Sequence, residues 1–294
     1  MATVTSSSGV EIAVHELGGS GAPLLVSHAT GFHGRCYIPL AHALADRYHC
    51  VAFDYRGHGD TPRPDGPVDW LRYGDDALAM AEWLVGQNGG DPIDGFGHSM
   101  GGACLLMAAH RAPHLFRSLV VFEPIVFPPS QLLPDPANAN ESAMVVGARR
   151  RRATFPSYRA AIENYAAKPP LNCFTPESLR CYVEYGFRPV DDGGSGHDDT
   201  ASGDDGPAVT LKCTPDTEGD TFATGSLHTT WDDLPDIHTP VTVLCGQPMP
   251  MQPSSIAAGV AERLPAGTYV EVAELNHFGP MADPQRVADL FPRP

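Results

Sequence analysis

Residues 97–102 read GHSMGG, which places Ser99 between glycines at the start of an apolar helical pattern, MGGACLLMAAHRA. A serine hydroxyl can serve as a nucleophile when a tight strand-to-helix turn projects it. Such a turn leaves little room for flanking side chains, so Gly97 and Gly101 suit the G-x-S-x-G spacing. The helix that follows would aim its first amide, Met100 N–H, at an oxygen that gains negative charge during acyl transfer. A serine also needs a base to take its proton at neutral pH. His277, in ELNHFGPMADP after the last strand-like run, follows Ser99 in the order this constellation requires. The small-residue loop of LLVSHATGFHG offers a second oxyanion amide, at Thr30. Taken singly, these pieces read as a glycine-rich turn, a flexible loop and an exposed histidine. Their order along one chain favours a common site.

Short β-rich runs must position these residues. VEIAVHEL, APLLVSH, HCVAFDY, a short run entering GFGHS, and SLVVFE alternate with helical patterns through the first 125 residues. VTVLCG, SSIAAGVAERL, TYVEVAEL and DPQRVADLF repeat the alternation at the far end. This predicts an α/β fold: a mostly parallel central sheet of about eight strands with helices on both faces, built from residues 1–127 and 241–294. Residues 128–240 read as an inserted, mainly helical cap, with proline-rich FPPSQLLPDP followed by helices around MVVGARRRRATF, PSYRAAIENYAA and PESLRCYVEYGF. Within it DDGGSGHDDTASGDDG, near residues 191–206, is too acidic and too poor in apolar residues to pack, and reads as a flexible loop.

Through SHATGFHG, FDYRGHGDT, GHSMGG and LNHFGP the chain resembles the α/β-hydrolase-fold serine hydrolases, from about Val10 to the last helix, with the cap outside the match. The resemblance implies hydrolysis of a carboxylic ester or related acyl bond, because family members that open epoxides or displace halide carry aspartate at the elbow. It also exposes a departure. In most of the family an aspartate follows the strand equivalent to VTVLCG, commonly as G-x-x-D-P, whereas here Gly246-Gln247-Pro248-Met249-Pro250 puts Met249 in the acidic place. The family's second location for the acid is the end of the preceding core strand, where SLVVFEP places Glu123. The implied triad is therefore Ser99, His277 and Glu123, with the amides of Thr30 and Met100 as oxyanion hole. Two alternatives stand beside it. Glu123 could instead pair with a cap arginine, and Glu274, three residues before His277, is a weaker candidate acid. Asp54, Arg56, His58 and Asp60 of FDYRGHGDT are read as knitting loops together.

Composition bounds the rest. In a chain of 294 residues, 35 acidic against 19 basic residues give a formal charge of -16, which argues against nucleic-acid or anionic-membrane partners. The start MATVTSSSGVEIAVHELGG carries no basic-then-apolar leader, and no run approaches membrane-spanning length. Seven scattered cysteines without a CxxC pairing suit reduced thiols and a cytoplasmic location. His28, His33, His58 and His98 match no zinc template, so neither metal nor cofactor is expected. Arg149 to Arg152 would sweep roughly 300° of a helix, so at least one should face the cleft, either awaiting an anionic group or, the favoured reading, in an internal ion pair. The expected partner is a small-molecule, ester-like substrate. A ligand-binding member with a vestigial triad, a C–C bond hydrolase and an acyl transferase are compatible with the same motifs.

Overall fold

The apolar runs assemble as strands in a computed structural model that describes residues 2–132, 135–190 and 206–292. In chain order these are β1 (Ala2–Thr5), β2 (Glu11–Gly19), β3 (Ala22–Ser27), β4 (Tyr48–Phe53), β5 (Ile93–His98), β6 (Phe116–Phe122), β7 (Thr154–Phe155), β8 (Phe187–Pro189), β9 (Val209–Leu211), β10 (Val241–Cys245) and β11 (Gly267–Glu271). Eight of them form one sheet in the order β1-β2-β4-β3-β5-β6-β10-β11. β1 and β4 flank β2 antiparallel, and every pairing from β4 to β11 is parallel.

The helices are α1 (Ile38–Leu44), α2 (Trp70–Gln87), α3 (Met100–Arg111), α4 (Ala143–Arg150), α5 (Tyr158–Ala166), α6 (Pro176–Gly186), α7 (Pro215–Thr224), α8 (Thr230–Asp233), α9 (Ala257–Arg263), α10 (Gly279–Ala282) and α11 (Pro284–Ala288). Among them α2, α3 and α9 cover one face of the sheet and α1 and α11 the other, and strand alternation explains how. In β3 and β4, Leu25, Val51 and Phe53 pack with Tyr73 and Met80 of α2 and Leu105 of α3. Leu24, Val26, Cys50 and Ala52 point the other way, onto Leu40 and Leu44 of α1 and Val287 of α11. The larger of these, the leucines, valines, phenylalanine and methionine, each contribute about 1.5–3 kcal/mol by leaving water. Because both faces are covered, these strands read as continuous apolar runs rather than alternating ones. Helix α3 is apolar on all sides for the same reason, with every residue from Met100 to Ala109 buried.

The segment between β6 and β10 holds α4 to α8 and a small antiparallel sheet, β7-β9-β8. The sequence reading anticipated its first three helices but not α7, α8 or this sheet, whose strands of two and three residues are too short to leave a period. The acidic loop expected near 191–206 lies, up to residue 205, outside the described residues. The segment meets the loops that follow β3 and β4. Lys212 pairs with Asp60 at 2.5 Å, Arg63 with Asp220 at 2.8 Å, and the rings of Phe32 and Tyr182 lie 5.3 Å apart. Among the described residues no helix is long and apolar enough to cross a membrane.

Candidate active site

Three neighbouring parallel strands bring the expected residues together. β5 lies between β3 and β6, with Ser27 opposite Gly97 and Phe122 opposite His98. The loops leaving the C-terminal ends of β3, β5 and β6 therefore open on one rim, the usual ligand crevice of parallel sheets. Ser99, the residue after β5, adopts φ 57° and ψ -115°, a left-handed conformation that an L-residue rarely holds. It is held there by Ser99 N–H donating to Phe122 O at 2.9 Å and by Ile125 N–H donating to Ser99 O at 3.2 Å. The surrounding glycines answer a demand for space. A Cβ on Gly97 would lie 2.6 Å from Gly102 Cα, and one on Gly101 would lie 2.2 Å from Ser27 O. Any side chain at either position would push α3 off the sheet.

His277 Nε2 lies 3.2 Å from Ser99 Oγ. The opposite ring nitrogen, Nδ1, lies 2.6 Å from Glu123 Oε2, and the other carboxylate oxygen accepts Gly246 N–H at 3.0 Å. Glu123 is 1% exposed, and its charge is matched by these two donors. A carboxylate can only accept here, so Nδ1 carries the proton and Nε2 is free to accept from the serine hydroxyl. Met249, in the place where the family's acid usually stands, is 55% exposed and takes no part in this chain. Glu274 is exposed, and Glu123 does not pair with a cap arginine. Gly246 closes the arrangement from below: a Cβ there would lie 2.1 Å from Leu275 O, so the loop after β10 seats directly on the segment carrying His277.

Thr30 lies in the loop after β3 and Met100 follows Ser99 directly as the first residue of α3, and neither N–H has an acceptor among the described residues. The loop bearing Thr30 is fastened along its length. Tyr55 N–H donates to His28 Nε2 at 2.9 Å, His28 Nδ1–H donates to Ala29 O at 2.8 Å, and Gly34 N–H donates to Asp54 Oδ1 at 2.7 Å. Asp54 also accepts Asp60 N–H at 2.7 Å and pairs with His15, while Arg56 pairs with Asp76 at 2.5 Å. The FDYRGHGDT segment thus ties loops together, as expected. His15, Asp54 and Asp60 offer three potential metal-ligand atoms within 4.8 Å of one another, but Asp54 is already occupied by these donors.

A relay that the motifs did not announce joins this loop to His277. Ala29 N–H donates to Tyr37 Oη at 3.1 Å, Tyr37 O–H donates to His98 Nδ1 at 2.8 Å, and His98 Nε2–H donates to His277 O at 2.7 Å. A backbone carbonyl can only accept, which assigns the proton to His98 Nε2 and leaves Nδ1 as acceptor for the tyrosine. Burial, reinforced by the nearby His277, pushes His98 well below its ordinary range, so it remains neutral. Nothing in the sequence around Tyr37 signals this role, because Tyr37 and His98 meet only through the packing of α1's leading turn on β5. Tyr37→Phe would leave the buried Ala29 N–H and His98 Nδ1 without partners, each costing about 1–3 kcal/mol. Urea denaturation of that variant is therefore expected to show at least about 2 kcal/mol of lost stability; an unchanged midpoint would mean that water replaces the hydroxyl.

The site opens into a cavity of about 740 Å³ whose wall includes Ser99, His277, Phe32, Phe127, Met144 and Phe155. The arginine run is resolved by where its helix stops. α4 ends at Arg150, and Arg151 continues in extended conformation, φ -64° and ψ 145°. Arg149 pairs outward with Asp220 at 2.9 Å, Arg152 lies over the Phe155 ring at 4.4 Å, and Arg151 turns into the cavity wall. There its Nη1–H donates to Glu218 at 2.6 Å and its Nη2–H groups donate to Tyr165 at 3.1 Å and Tyr182 at 2.5 Å. Arg151 and Arg152 both reach the cavity wall, as expected of at least one arginine, and the internal ion pair is also present, between Arg151 and Glu218.

The family model described as "Alpha/beta hydrolase family" matches residues 24–290. The chain is 29% identical over 175 residues to the 2-(acetamidomethylene)succinate hydrolase of Mesorhizobium japonicum, covering 60% of this chain and 58% of that protein. It is 34% identical over 112 residues to the monoglyceride lipase of Mus musculus, covering 36% and 37%. The matched segments thus span less than two thirds of these relatives' own length. In three dimensions it resembles an E-2-(acetamidomethylene)succinate hydrolase, with TM-score 0.74 and 22% identity over 98% of this chain and 95% of that one. It also resembles a thermophilic esterase from Thermogutta terrifontis, with TM-score 0.67 and 18% identity over 98% and 94%. At these identities the structural likeness speaks for the fold.

Proposed function

We propose, given that this chain belongs to the alpha/beta hydrolase family, that it is a serine hydrolase cleaving a carboxylic ester or related acyl bond of a small to medium organic substrate. The observation that carries this reading is the continuous hydrogen-bonded series Ser99–His277–Glu123 in the wall of a cavity large enough for such a molecule. Ser99 Oγ attacks the substrate carbonyl carbon while its proton passes to His277 Nε2. The resulting oxyanion accepts from Thr30 N–H and Met100 N–H. As the bond to the leaving group breaks, His277 returns that proton to the departing oxygen and an acyl-enzyme remains. Water, deprotonated by His277, then releases the acid and restores Ser99. Glu123 holds His277 in the tautomer this sequence needs and stabilises the imidazolium that forms twice per turnover.

Residues 128–240 act as the cap in this reading, since α4 to α7 supply much of the cavity wall and so select the substrate. The names of the two relatives, a hydrolase and a lipase, favour hydrolysis over a vestigial ligand-binding role. Seven cysteines are free thiols, which suits a reducing compartment such as the cytosol. The test is a fluorophosphonate probe followed by peptide mass spectrometry. Stoichiometric labelling is expected on the peptide containing Ser99, whereas an unlabelled, folded protein would shift the reading to a ligand-binding role.

A further inference from the structure

We propose that the end of the cavity formed by Arg151, Tyr165, Tyr182 and Glu218 binds a carboxylate carried by the substrate, so that the preferred substrates are anionic. This rests on the acyl-bond reading above and adds the substrate's chemical class to it.

The first observation is charge. The chain as a whole is strongly acidic, at -16, yet the cavity wall carries Arg151, Arg152 and Lys168 against one carboxylate, Glu218. A cleft of locally reversed sign with apolar walls concentrates anions. The second observation is an imbalance of donors. The phenolic oxygens of Tyr165 and Tyr182 both accept from Arg151, so their own protons must go elsewhere, and neither has an acceptor among the described residues. The same holds for Arg151 Nε–H and its second Nη1–H. The two phenolic hydroxyls therefore stand beside Arg151 in the cavity wall as donors without a protein acceptor among the described residues, where Glu218 is already engaged. Tyr182 is 2% exposed, and a donor left unpaired at that depth favours a ligand made of acceptors. A carboxylate is such a group: two oxygens, no protons, and a charge complementary to the guanidinium.

The cluster is also built rather than incidental. Its members come from the end of α4 and from α5, α6 and α7, and Arg151 lies above the Tyr165 ring at 5.8 Å. It abuts the loop that carries Thr30: a Cβ on Gly31 would lie 2.4 Å from Glu218 Oε1. A substrate whose carbonyl sits at Ser99 can thus extend along the aromatic wall and end at Arg151. Glu218 prevents the buried cation from standing alone when the site is unliganded.

The experiment compares monomethyl esters of the linear dicarboxylic acids from succinic to suberic with methyl esters of the matching uncharged acids, followed by pH-stat. In the wild type the best half-ester is expected to exceed its uncharged counterpart in kcat/KM by about 10- to 100-fold, the range of a charge-assisted hydrogen bond. Arg151→Met is expected to bring that ratio to within about twofold. Because that variant leaves Glu218 without its partner, Tyr165→Phe, which keeps the ion pair, is measured beside it and is expected to lower the ratio several-fold. A wild-type ratio near one at every chain length overturns the proposal, and so does a ratio unchanged in both variants. If neither series is hydrolysed, the acyl-bond reading fails by itself. Calorimetric titration of Ser99→Ala with glutarate and with glutaramide then decides the anion site: preferential binding of glutarate supports it, and equal or absent binding overturns it.

Discussion

Ser99→Ala is expected to lower kcat/KM for a simple aryl ester by about 10⁴-fold or more while leaving the thermal midpoint within a few degrees of the wild type. The rate loss follows from geometry: Ser99 Oγ, the proposed nucleophile, lies 3.2 Å from His277 Nε2, and alanine provides no atom that could form the acyl bond. The stability side follows from the backbone. Alanine carries the same Cβ as serine into φ 57°, so the strain of the turn is unchanged, and the hydroxyl makes no buried hydrogen bond other than that to His277. The measurement is turnover of the ester alongside circular dichroism. Retained turnover in a folded variant would remove Ser99 from the mechanism.

Glu123→Gln is the second large expected effect, with kcat for the same ester falling by about 10³- to 10⁴-fold. The carboxylate accepts from two donors at once, His277 Nδ1–H at 2.6 Å and Gly246 N–H at 3.0 Å. An amide has one accepting end and one donating end. If the oxygen stays with Gly246, the NH₂ faces Nδ1, the imidazole takes the other tautomer, and Nε2–H points at Ser99 with no capacity to accept its proton. If the amide turns the other way, Gly246 N–H loses its acceptor in a buried place at about 1–3 kcal/mol, and the imidazolium still lacks its counter-charge. Met249→Ala, by contrast, alters an exposed side chain outside the series and is expected to change kcat/KM by about twofold at most. A larger loss at Met249 than at Glu123, measured side by side on one substrate, would reverse the assignment of the acid.

Several parts of this site were legible before any coordinates. G-x-S-x-G announced Ser99 because a close backbone crossing leaves a mark on the residues themselves: where Gly97 meets Gly102 and Gly101 meets Ser27, no Cβ fits. His277 was legible from its place after the last parallel strand, and the central sheet from apolar runs buried on both faces. Glu123 was reachable by a step of reasoning, since β6 had to lie beside β5 for SLVVFEP to end on the same rim. The run GARRRRATF shows where such reasoning stops. At least one arginine was expected to face the cleft; that Arg151 and Arg152 are the ones in its wall depends on α4 ending at Arg150, and that end is marked by no glycine or proline.

Local demands on the chain, such as room at a turn, burial on both faces of a strand and the order of serine, glutamate and histidine, are written into short stretches of sequence; these determined the family and pointed to Ser99 and His277 as the proposed nucleophile and base. The partners that meet across long separations belong to the tertiary structure alone. Tyr37 reaches His98, Arg151 reaches Glu218 and Tyr182, and Glu123 reaches His277 through contacts between residues 31 to 154 apart. No local pattern records them, because each is chosen by how whole elements pack and by the requirement that every polar group carried into the interior find a partner there.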